Sequence, residues 1–440
     1  MTPSSRRRAL KTIATAAMSA SGIGSRPTLG EPRALRYTPE KDAALRLLRW
    51  KRYVEGDETA WLANTRRFTD QTGVAVEIES INPDDIDTKA ALAANVGAGP
   101  DIVMGLFDQP QRYAQRCLDV TELADYLGAK YGGWYDVCKR YCTSDGRWIA
   151  LPIGFFTHCL VYRESLVKAA GYRTIPRDLD GFLELCRALK ANGLPAGFAL
   201  GHPTGDASGW CHWVIWAHGA RLVDEQNRVA INSRETVVAL EYAKELYRTF
   251  IDGTLSWLDP HNNKAFIAGQ IAMTYNAISI YYTAKTSTDP AVHALAADIQ
   301  HAHLPIGPIG RPTELAQPAP AWIFKHTRFP NAAREYLRFM LEWDQYATWQ
   351  QASLGYITQG LRAYESNQVW TVDSKHTPYR DGSKLALDNG YAGRLGAASA
   401  ACMADFIVVD MVAEVASGTS TPRVAAARAE QRARRYYDAR

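Results

Sequence analysis

An alternation of strand and helix patterns near the start of the chain constrains its fold more than any other feature. Residues 45–50 form an apolar run typical of a strand, and residues 57–72 place apolar side chains on one face of a helix. Gly73 ends that helix, and residues 74–78 then alternate between apolar and polar side chains, as a second strand does. A strand, a helix and a strand within about 35 residues predict a βαβ unit, which requires a parallel sheet.

The same alternation continues through the rest of the chain. We predict further helices over residues 83–96, 163–170, 178–192, 236–250, 331–343, 403–416 and 423–440, and further strands over residues 100–104, 148–152, 157–162 and 271–275. No internal repeat, low-complexity tract or long linker separates them. The chain is therefore expected to be an α/β protein whose parts share one compact body.

Composition excludes several classes of protein. Apolar residues make up 47% of the 440 residues and charged residues 22%, which excludes a disordered or collagen-like chain. No run approaches about 18 apolar residues, so a membrane-spanning helix is not expected. Seven cysteines are an odd number for a disulfide framework, and Cys138 and Cys142 lack the second pair that a zinc site needs. We predict no metal, no cofactor and mostly buried cysteines, with one disulfide left open.

The positive charge of the chain is concentrated at its start. Five basic residues and no acidic residue lie within residues 1–30, and without them the formal net charge of +4 becomes about −1. The order Ser-Arg-Arg-x-x-Leu-Lys, read from Ser5 to Lys11, resembles a twin-arginine export signal, and a disordered basic tail is the alternative. We predict an export signal over residues 1–30, a periplasmic location and no nucleic-acid partner.

Seven short motifs follow one another in a fixed order along the chain. They are Arg67–Val74, Gly99–Val103, Asp145–Pro152, Leu160–Leu166, Phe266–Met273, Leu304–Pro308 and Asn331–Leu337. The fifth, for example, reads Phe-Ile-Ala-Gly-Gln-Ile-Ala-Met. Together they resemble the motifs of family 1 extracellular solute-binding proteins, the sugar-type, maltose-binding-protein-like receptors of ATP-binding-cassette (ABC) importers. Each motif alone is weakly specific, and their common order carries the resemblance.

The resemblance implies a fold and a function. The implied fold is α/β, a two-lobed periplasmic binding protein fold of type II, in which each lobe is a mixed, mostly parallel sheet flanked by helices. Lobe one is expected over residues 40–156 and 276–320, and lobe two over residues 157–275 and 321–440. The lobes would close over a ligand in the cleft between them. The implied function is that of a monomeric, non-enzymatic receptor that delivers a small carbohydrate or polyol to a membrane permease.

Twelve residues are candidates for ligand contact, because a sugar packs its C–H face on aromatic rings and donates its hydroxyl hydrogens to carboxylates. They are Trp50, Glu55, Asp57, Asp108, Phe156, Trp210, His212, Asn276, Tyr356, Tyr391, Arg394 and Asp405. By resemblance, Trp50 ends the first strand where relatives often place a ligand-facing tryptophan, and Asp108 matches a sugar-binding aspartate. Asp57 has a second interpretation, as the N-cap of the first helix.

The stretch from Gly205 to Trp213 is the densest in candidate groups, since it combines glycine, an acid and two indoles just before a helix. We predict that Trp210 and His212 face the cleft, and that Trp213 and Trp216 form the buried face of the helix.

Departures from the family pattern bear on the size of the ligand. Phe156 stands near the position of a sugar-binding carboxylate, Gly105 replaces a stacking tryptophan, and Gln317 begins the segment that replaces Gly-Gly-Trp. These differences remove stacking and acidic contacts. We therefore predict a small hydroxylated ligand rather than a long oligosaccharide.

Two other functions stay open from the sequence. Relatives with this fold bind non-sugar solutes such as glycerol phosphates or polyamines, and a polyamine would need acids such as Glu55, Asp108, Asp206 and Asp405 in the cleft. The other alternative is a secreted carbohydrate-active enzyme. The chain has no Gly-x-Ser-x-Gly, His-Glu-x-x-His or phosphate-loop motif. The paired carboxylates of a glycosidase, however, meet only in the tertiary structure.

Overall fold

The structure, a computed structural model, describes residues 34–439, so the predicted export signal lies outside the described residues. The described chain forms two main sheets and a short hairpin. The strands are β1 Ala44–Trp50, β2 Ala75–Ile81, β3 Ile102–Met104, β4 Thr143–Ser144, β5 Arg147–Trp148, β6 Leu151–Phe155, β7 Cys159–Arg163, β8 Met273–Asn276, β9 Ile299–Ala302 and β10 Pro318–Ile323.

Helices surround both sheets. They are α1 Glu55–Thr72, α2 Pro83–Val96, α3 Gln109–Arg112, α4 Thr121–Lys130, α5 Asp136–Cys142, α6 Glu164–Ala169, α7 Leu179–Ala191, α8 Asp206–Ala217, α9 Arg234–Tyr247, α10 Asp259–Ile267, α11 Ser279–Thr286, α12 Pro290–Asp298, α13 Pro330–Met340, α14 Trp343–Ala352, α15 Thr377–Leu385, α16 Ala397–Ala404, α17 Ile407–Ala416 and α18 Pro422–Tyr437. Within residues 34–439, no helix has the length and apolar character that crossing a membrane requires.

The first sheet has the strand order β2-β1-β3-β10-β6. β1 pairs in parallel with both β2 and β3, and α1 connects β1 to β2, so the predicted βαβ unit is confirmed. Gly73 adopts a φ of 73° and donates its backbone N–H to the Thr69 carbonyl, which ends α1. β10 pairs antiparallel with β3 and β6. Trp50, at the carboxyl end of β1, thus lies at the sheet edge where α/β proteins usually bind ligands.

The second sheet has the strand order β8-β7-β9, and both of its strand pairs are antiparallel. This is a correction to the mostly parallel sheet that we expect for each lobe from the resemblance. The parallel contribution here is an isolated bridge between Ala196 and Met273. Pro195 and Gly197 flank Ala196, and neither residue favours a regular strand.

The packing of two segments differs from the predicted lobe boundaries. β9, within the segment 276–320 predicted for lobe one, pairs with β7 in the second sheet. α13 and α14, within the segment 321–440 predicted for lobe two, pack on α1 beside the first sheet. Both contacts join segments far apart in the sequence, which the order of motifs does not reveal. Thr358 and Leu361 also bridge to Phe155 and Trp134 of lobe one. We propose that residues 276–302 belong to lobe two and residues 321–361 to lobe one.

The predicted helix over residues 403–416 is two helices, α16 and α17. Phe406, between them, has a φ of 50° in the left-handed region. Arg432 of α18 binds Asp405 and Asp410 on either side of this break. The final helix, α18, has an exposed basic face, and its other face packs on α17 through Ala425, Ala426, Ala429 and Ala433.

The seven cysteines are all buried with free thiols, which confirms their interpretation as small core residues. Burial raises the pKa of the Cys138 thiol and the pKa of the Cys142 thiol. Both side chains therefore stay protonated, unlike the thiolates that bind zinc. No group of three or more His, Cys, Asp or Glu side chains within the described part of the chain is arranged to hold a metal ion.

A buried ion pair joins three elements of lobe one. Asp57 of α1 is 0% exposed and accepts a hydrogen bond of 2.5 Å from Arg49 Nη2, while Arg49 is 1% exposed. The same carboxylate accepts from Trp50 Nε1 at 3.1 Å and from Trp349 Nε1 of α14 at 2.8 Å. The Arg49 guanidinium lies 4.9 Å from the Trp50 ring centroid. Asp57 therefore holds β1, α1 and α14 together and orients Trp50.

Removing this charge should destabilise the fold. We expect Asp57→Asn to lower the free energy of unfolding by about 3–5 kcal/mol, because it leaves the Arg49 charge buried without its partner. Urea unfolding followed by tryptophan fluorescence measures the change. Asp70→Asn, at an exposed position of the same helix, is the control and should change stability by less than about 0.5 kcal/mol. Equal stability of the two variants would contradict this role of Asp57.

Candidate functional site

A cleft opens between the two sheets, where the chain passes from β6 to β7. Its volume is about 560 Å³, including its open mouth. Lobe one contributes Trp50, Tyr53, Pro83, Leu106, Phe156 and Tyr356, and the rest of the lining comes from His158, Thr204, Gly205, Asp206, Asp259, Asn263, Asn276, Ala277, Ser279 and Gln317. One wall is therefore mainly aromatic and the opposite wall mainly polar.

The aromatic wall is a contiguous cluster. The Trp50 and Phe156 ring centroids are 5.1 Å apart at 78°, and those of Phe156 and Tyr356 are 5.2 Å apart at 67°. Both are edge-to-face contacts, which aromatic pairs favour. Tyr53 stands beside them on the loop that connects β1 to α1. Because Asp57 holds the Trp50 indole from behind, this wall rests on the buried core of lobe one.

Three polar side chains of lobe two form a closed ring of hydrogen bonds. Asn276, at the end of β8, donates to Asn263 Oδ1, and Asn263 Nδ2 donates to Ser279 Oγ at 2.9 Å. Ser279 Oγ in turn donates to Asn276 Oδ1 at 3.1 Å. An amide offers two N–H groups and two lone pairs, so each asparagine keeps capacity for a ligand hydroxyl.

His158 and Asp206 form a pair where the chain crosses between the lobes. His158 Nε2 lies 2.9 Å from Asp206 Oδ1, and its Nδ1 lies 2.8 Å from the Phe156 carbonyl oxygen. Both ring nitrogens thus face oxygen atoms. Asp206 Oδ2 also accepts from Asn262 Nδ2 at 2.5 Å. The Asp206 carboxylate is therefore fully engaged by the protein.

Asp259 begins α10 and lies beside Asp206. Its carboxylate accepts from the Asp206 backbone N–H at 3.4 Å. Burial, followed by the negative charges of Asp206 and Asp84, raises the pKa of Asp259 well above its usual range. Burial and the same three carboxylates also raise the pKa of the Tyr53 hydroxyl. This end of the cleft therefore has a negative potential.

Four of the predicted contact residues line the cleft, namely Trp50, Phe156, Asn276 and Tyr356. They come from four separate parts of the chain. Their roles in ligand contact stay predictions, and the structure brings them together in one cavity.

Trp210 and His212 require a correction, because both lie in the core and not in the cleft. Trp210 Nε1 donates to the Ala199 carbonyl at 2.8 Å, and its ring packs against Phe198 and Phe250. His212 Nδ1 lies 2.7 Å from the Ser208 carbonyl. The physical reason is that other elements cover α8 along its whole length, and only its first residue, Asp206, reaches the cleft.

The other predicted residues also lie elsewhere. Asp57 is in the core of lobe one, and Glu55 is exposed at the first position of α1. Tyr391 accepts a hydrogen bond from Arg311 at 2.7 Å. Arg394 is exposed and lines a surface groove, and Asp405 is paired with Arg432. Their sequence positions resemble cleft residues, but their packing partners hold them away from it.

Asp108 lines a second cavity, which shares Pro83 and Thr204 with the cleft. Its carboxylate accepts from Ser399 Oγ of α16 at 2.6 Å and is 1% exposed. Burial raises the pKa of Asp108 to about 6, against hydrogen bonds that lower it. Asp108 thus joins the C-terminal helices to lobe one.

Several residues that line the cleft are not among the predicted contact residues, most clearly Tyr53, Asp259, Asn263 and Ser279. Asp259 precedes Pro260, a pair that marks the start of a helix. Nothing in that local pattern indicates that the helix points at the end of β8. The packing of α10 against β8 brings Asp259 and Asn263 to the cleft, and this contact exists only in the folded chain.

Comparisons with known proteins agree with this architecture. A family model described as bacterial extracellular solute-binding protein matches residues 64–377. Maltose-bound MalE3 of T. maritima superposes with a TM-score of 0.76 at 18% identity, covering 89% of this chain and 99% of that chain. A sugar transporter protein from Arthrobacter chlorophenolicus A6 with bound laminaribiose gives 0.76 at 18% identity, with 89% and 99% covered.

A third structure, an ABC transporter solute-binding protein from Agrobacterium radiobacter K84 in complex with ribitol, gives a TM-score of 0.75. It is 16% identical, with 89% of this chain and 98% of that chain covered. At these identities the likeness shows the fold. The predicted two-lobed α/β architecture is therefore confirmed.

The raised pKa of Asp108 predicts a pH-dependent stability. Because the folded-state pKa of about 6 exceeds the ordinary value of 3.8, the folded protein holds this proton more tightly than the unfolded chain. Stability from this group is present at low pH and is lost as the pH rises through about 6. Asp108→Asn cannot ionise, so its stability relative to the wild type should rise by about 3 kcal/mol between about pH 4 and pH 7.

Urea unfolding of both proteins across that pH range measures this difference. The control variant Asp125→Asn, at an exposed site on α4, should show the same dependence of its unfolding free energy on pH as the wild type. The same dependence in Asp108→Asn would contradict the raised pKa of Asp108.

Proposed function

Because the chain belongs to the bacterial extracellular solute-binding protein family, we propose that it is the substrate-binding receptor of an ABC importer, and that it captures a small carbohydrate or polyol. Structures with the same fold are described with maltose, laminaribiose and ribitol. These three ligands all carry several hydroxyl groups, but they differ in size. The side chains that line the cleft of each protein therefore decide the size of its ligand.

The observation that carries this proposal is the division of the cleft into an aromatic wall and a polar wall. Sugar rings present apolar C–H faces that pack on rings such as Trp50 and Tyr356. Their hydroxyls both donate and accept, which matches the free amide capacity of Asn263 and Asn276. The two walls belong to different lobes, so one ligand would contact both only when the lobes are together.

Lobe closure supplies the proposed mechanism. Gln317 Nε2 donates to the Gly205 carbonyl at 3.2 Å, and Thr204 of lobe two donates to Asp84 of lobe one. Such contacts form when the lobes approach each other. A ligand that contacts both walls favours the closed state by its differential affinity. The closed receptor would then dock on the permease, and no covalent bond is broken.

The location and the assembly of the protein are part of the proposal. An extracellular solute-binding protein acts outside the cytoplasmic membrane, and we propose the twin-arginine route and the periplasm for this chain from its first thirty residues. We also propose that it acts as a monomer.

Ligand identity can be tested directly. We expect monosaccharides, cyclitols or short polyols to raise the melting temperature of the purified protein, because a ligand that binds the folded state stabilises it. Thermal-shift screening against a panel that includes maltodextrins measures this effect. Mass spectrometry of solute released on denaturation identifies any ligand retained during purification. Stabilisation by maltodextrins alone would contradict the small-ligand proposal, and turnover of an oligosaccharide would favour an enzyme.

The hydrogen-bonded ring of lobe two predicts a binding defect. Asn263→Ala should weaken the best ligand of the screen by about ten-fold or more, because it removes one partner and leaves Asn276 and Ser279 mispaired. Isothermal titration calorimetry measures the dissociation constant. Asn192→Ala, at an exposed helix end, is the matched control and should bind like the wild type. Unchanged affinity in Asn263→Ala would remove this ring from the site.

A further inference from the structure

The cleft is lined by more carboxyl groups than cationic groups. Its ionisable lining groups, apart from Tyr53 and Tyr356, are His158, Asp206 and Asp259. No lysine or arginine is among the described residues that line it. The two ring nitrogens of His158 are occupied by Asp206 Oδ1, 2.9 Å from Nε2, and by the Phe156 carbonyl oxygen, 2.8 Å from Nδ1. Asp259 is therefore left without a counter-ion among the described residues that line the cleft.

Nearby cations do not compensate Asp259. The Arg49 guanidinium is buried on the far side of Trp50 and is paired with Asp57. Asp84 of α2, close to the cleft, adds a further negative charge and accepts a hydrogen bond from Thr204. The titratable groups that interact with Asp259 are Asp206 of α8, Asp84 of α2 and the hydroxyls of Tyr53 and Tyr356, and none of them is a cation.

The walls near this carboxylate also suit a cation. Trp50, Tyr53, Phe156 and Tyr356 surround the cavity with aromatic rings. A cation within about 6 Å of a ring centroid is attracted by the negative face of the ring. An ammonium group also donates up to three hydrogen bonds, which a carboxylate accepts more strongly than it accepts from a neutral hydroxyl.

We propose that the ligand of this cleft is a hydroxylated ring that carries one protonated amine, and that Asp259 is its counter-ion. This inference rests on the proposed function, because it specifies the class of carbohydrate or cyclitol within the same cleft. The hydroxyls contact the ring of Asn263, Asn276 and Ser279, and the ammonium group lies between Asp259 and the aromatic wall.

The pKa of Asp259 supports this assignment and predicts the direction in which the affinity for an amine changes with pH. Burial, followed by the charges of Asp206 and Asp84, raises the pKa of Asp259, so its carboxyl group keeps its proton to a higher pH than an ordinary aspartic acid does. A bound ammonium group favours the carboxylate and lowers that pKa. Binding of the amine should therefore release protons, and its affinity should rise as the pH rises through the pKa of Asp259. A neutral sugar has no such effect.

The test compares matched pairs of ligands on the full mature chain. D-glucosamine is paired with D-glucose, D-galactosamine with D-galactose, D-mannosamine with D-mannose, and an aminocyclitol with myo-inositol. Isothermal titration calorimetry in two buffers with different ionisation enthalpies gives the affinity and the number of protons released. We expect at least one amine to bind about ten-fold or more tightly than its neutral partner, with proton release.

Asp259→Asn should remove this preference and the proton release, so that the variant binds the amine and its neutral partner with affinities within about three-fold of each other. Asp252→Asn, at an exposed position before the same helix, is the matched control and should keep both. Circular dichroism and the melting temperature confirm that each variant is folded.

Three results would overturn the inference. Neutral members that bind as tightly as the amines would reject the ammonium group and leave the proposed carbohydrate receptor intact. Amine binding that survives Asp259→Asn unchanged would reject Asp259 as the counter-ion. Absence of binding by every member of every pair would reject both this inference and the proposed function.

Discussion

The structure depends on one buried ion pair, between Arg49 at the end of β1 and Asp57 in α1. The pair lies in the core of lobe one, where separating the charges from water is unfavourable unless hydrogen bonds replace the lost solvent. Asp57 obtains them from Arg49 and from the indoles of Trp50 and Trp349. Nε and Nη1 of Arg49 have no hydrogen-bond partner among the described residues, so the guanidinium relies on Asp57 and on the Trp50 and Trp61 rings. The pair therefore contributes mainly the orientation of the Trp50 ring.

That orientation matters because neither lobe holds a complete site. The aromatic wall of lobe one has few polar groups, and the polar wall of lobe two has few rings. A ligand held by one wall alone would keep much of its surface in water. In the proposed mechanism, closure becomes favourable when a single molecule satisfies both walls, and this couples ligand capture to a change of shape. The same arrangement accounts for the position of His158 and Asp206, since this pair lies where the chain crosses between the lobes and touches the cavity on its charged side.

Much of the fold could be predicted from the sequence, and the site only in part. The βαβ unit from β1 to β2 can be predicted because apolar periodicity and Gly73, which ends α1, are local signals. The start and end of α2 can be predicted from Pro83 and Gly97 for the same reason. Strand pairing is harder to predict from the sequence, because β9 pairs antiparallel with β7 although the two strands lie more than a hundred residues apart. Of the site residues, Trp50 and Asn276 could be inferred as ends of strands. The prediction that Trp210 faces the cleft is wrong because the local sequence does not show that α8 is buried along its whole length. A helix start that contains two tryptophans looks the same in a binding site and in a core.

The sequence by itself determined the class of the protein: a two-lobed α/β chain with an ordered series of family motifs and a basic first segment unlike the rest. These properties are local or additive, so they can be read residue by residue. Only the tertiary structure decided which side chains share the cleft, because Asp259 and Asn263 reach it through the packing of α10 against β8. It also decided the charge of that cleft. The ionisation of Asp259 depends on its distance from Asp206 and Asp84 and on its burial, and a linear sequence contains neither quantity.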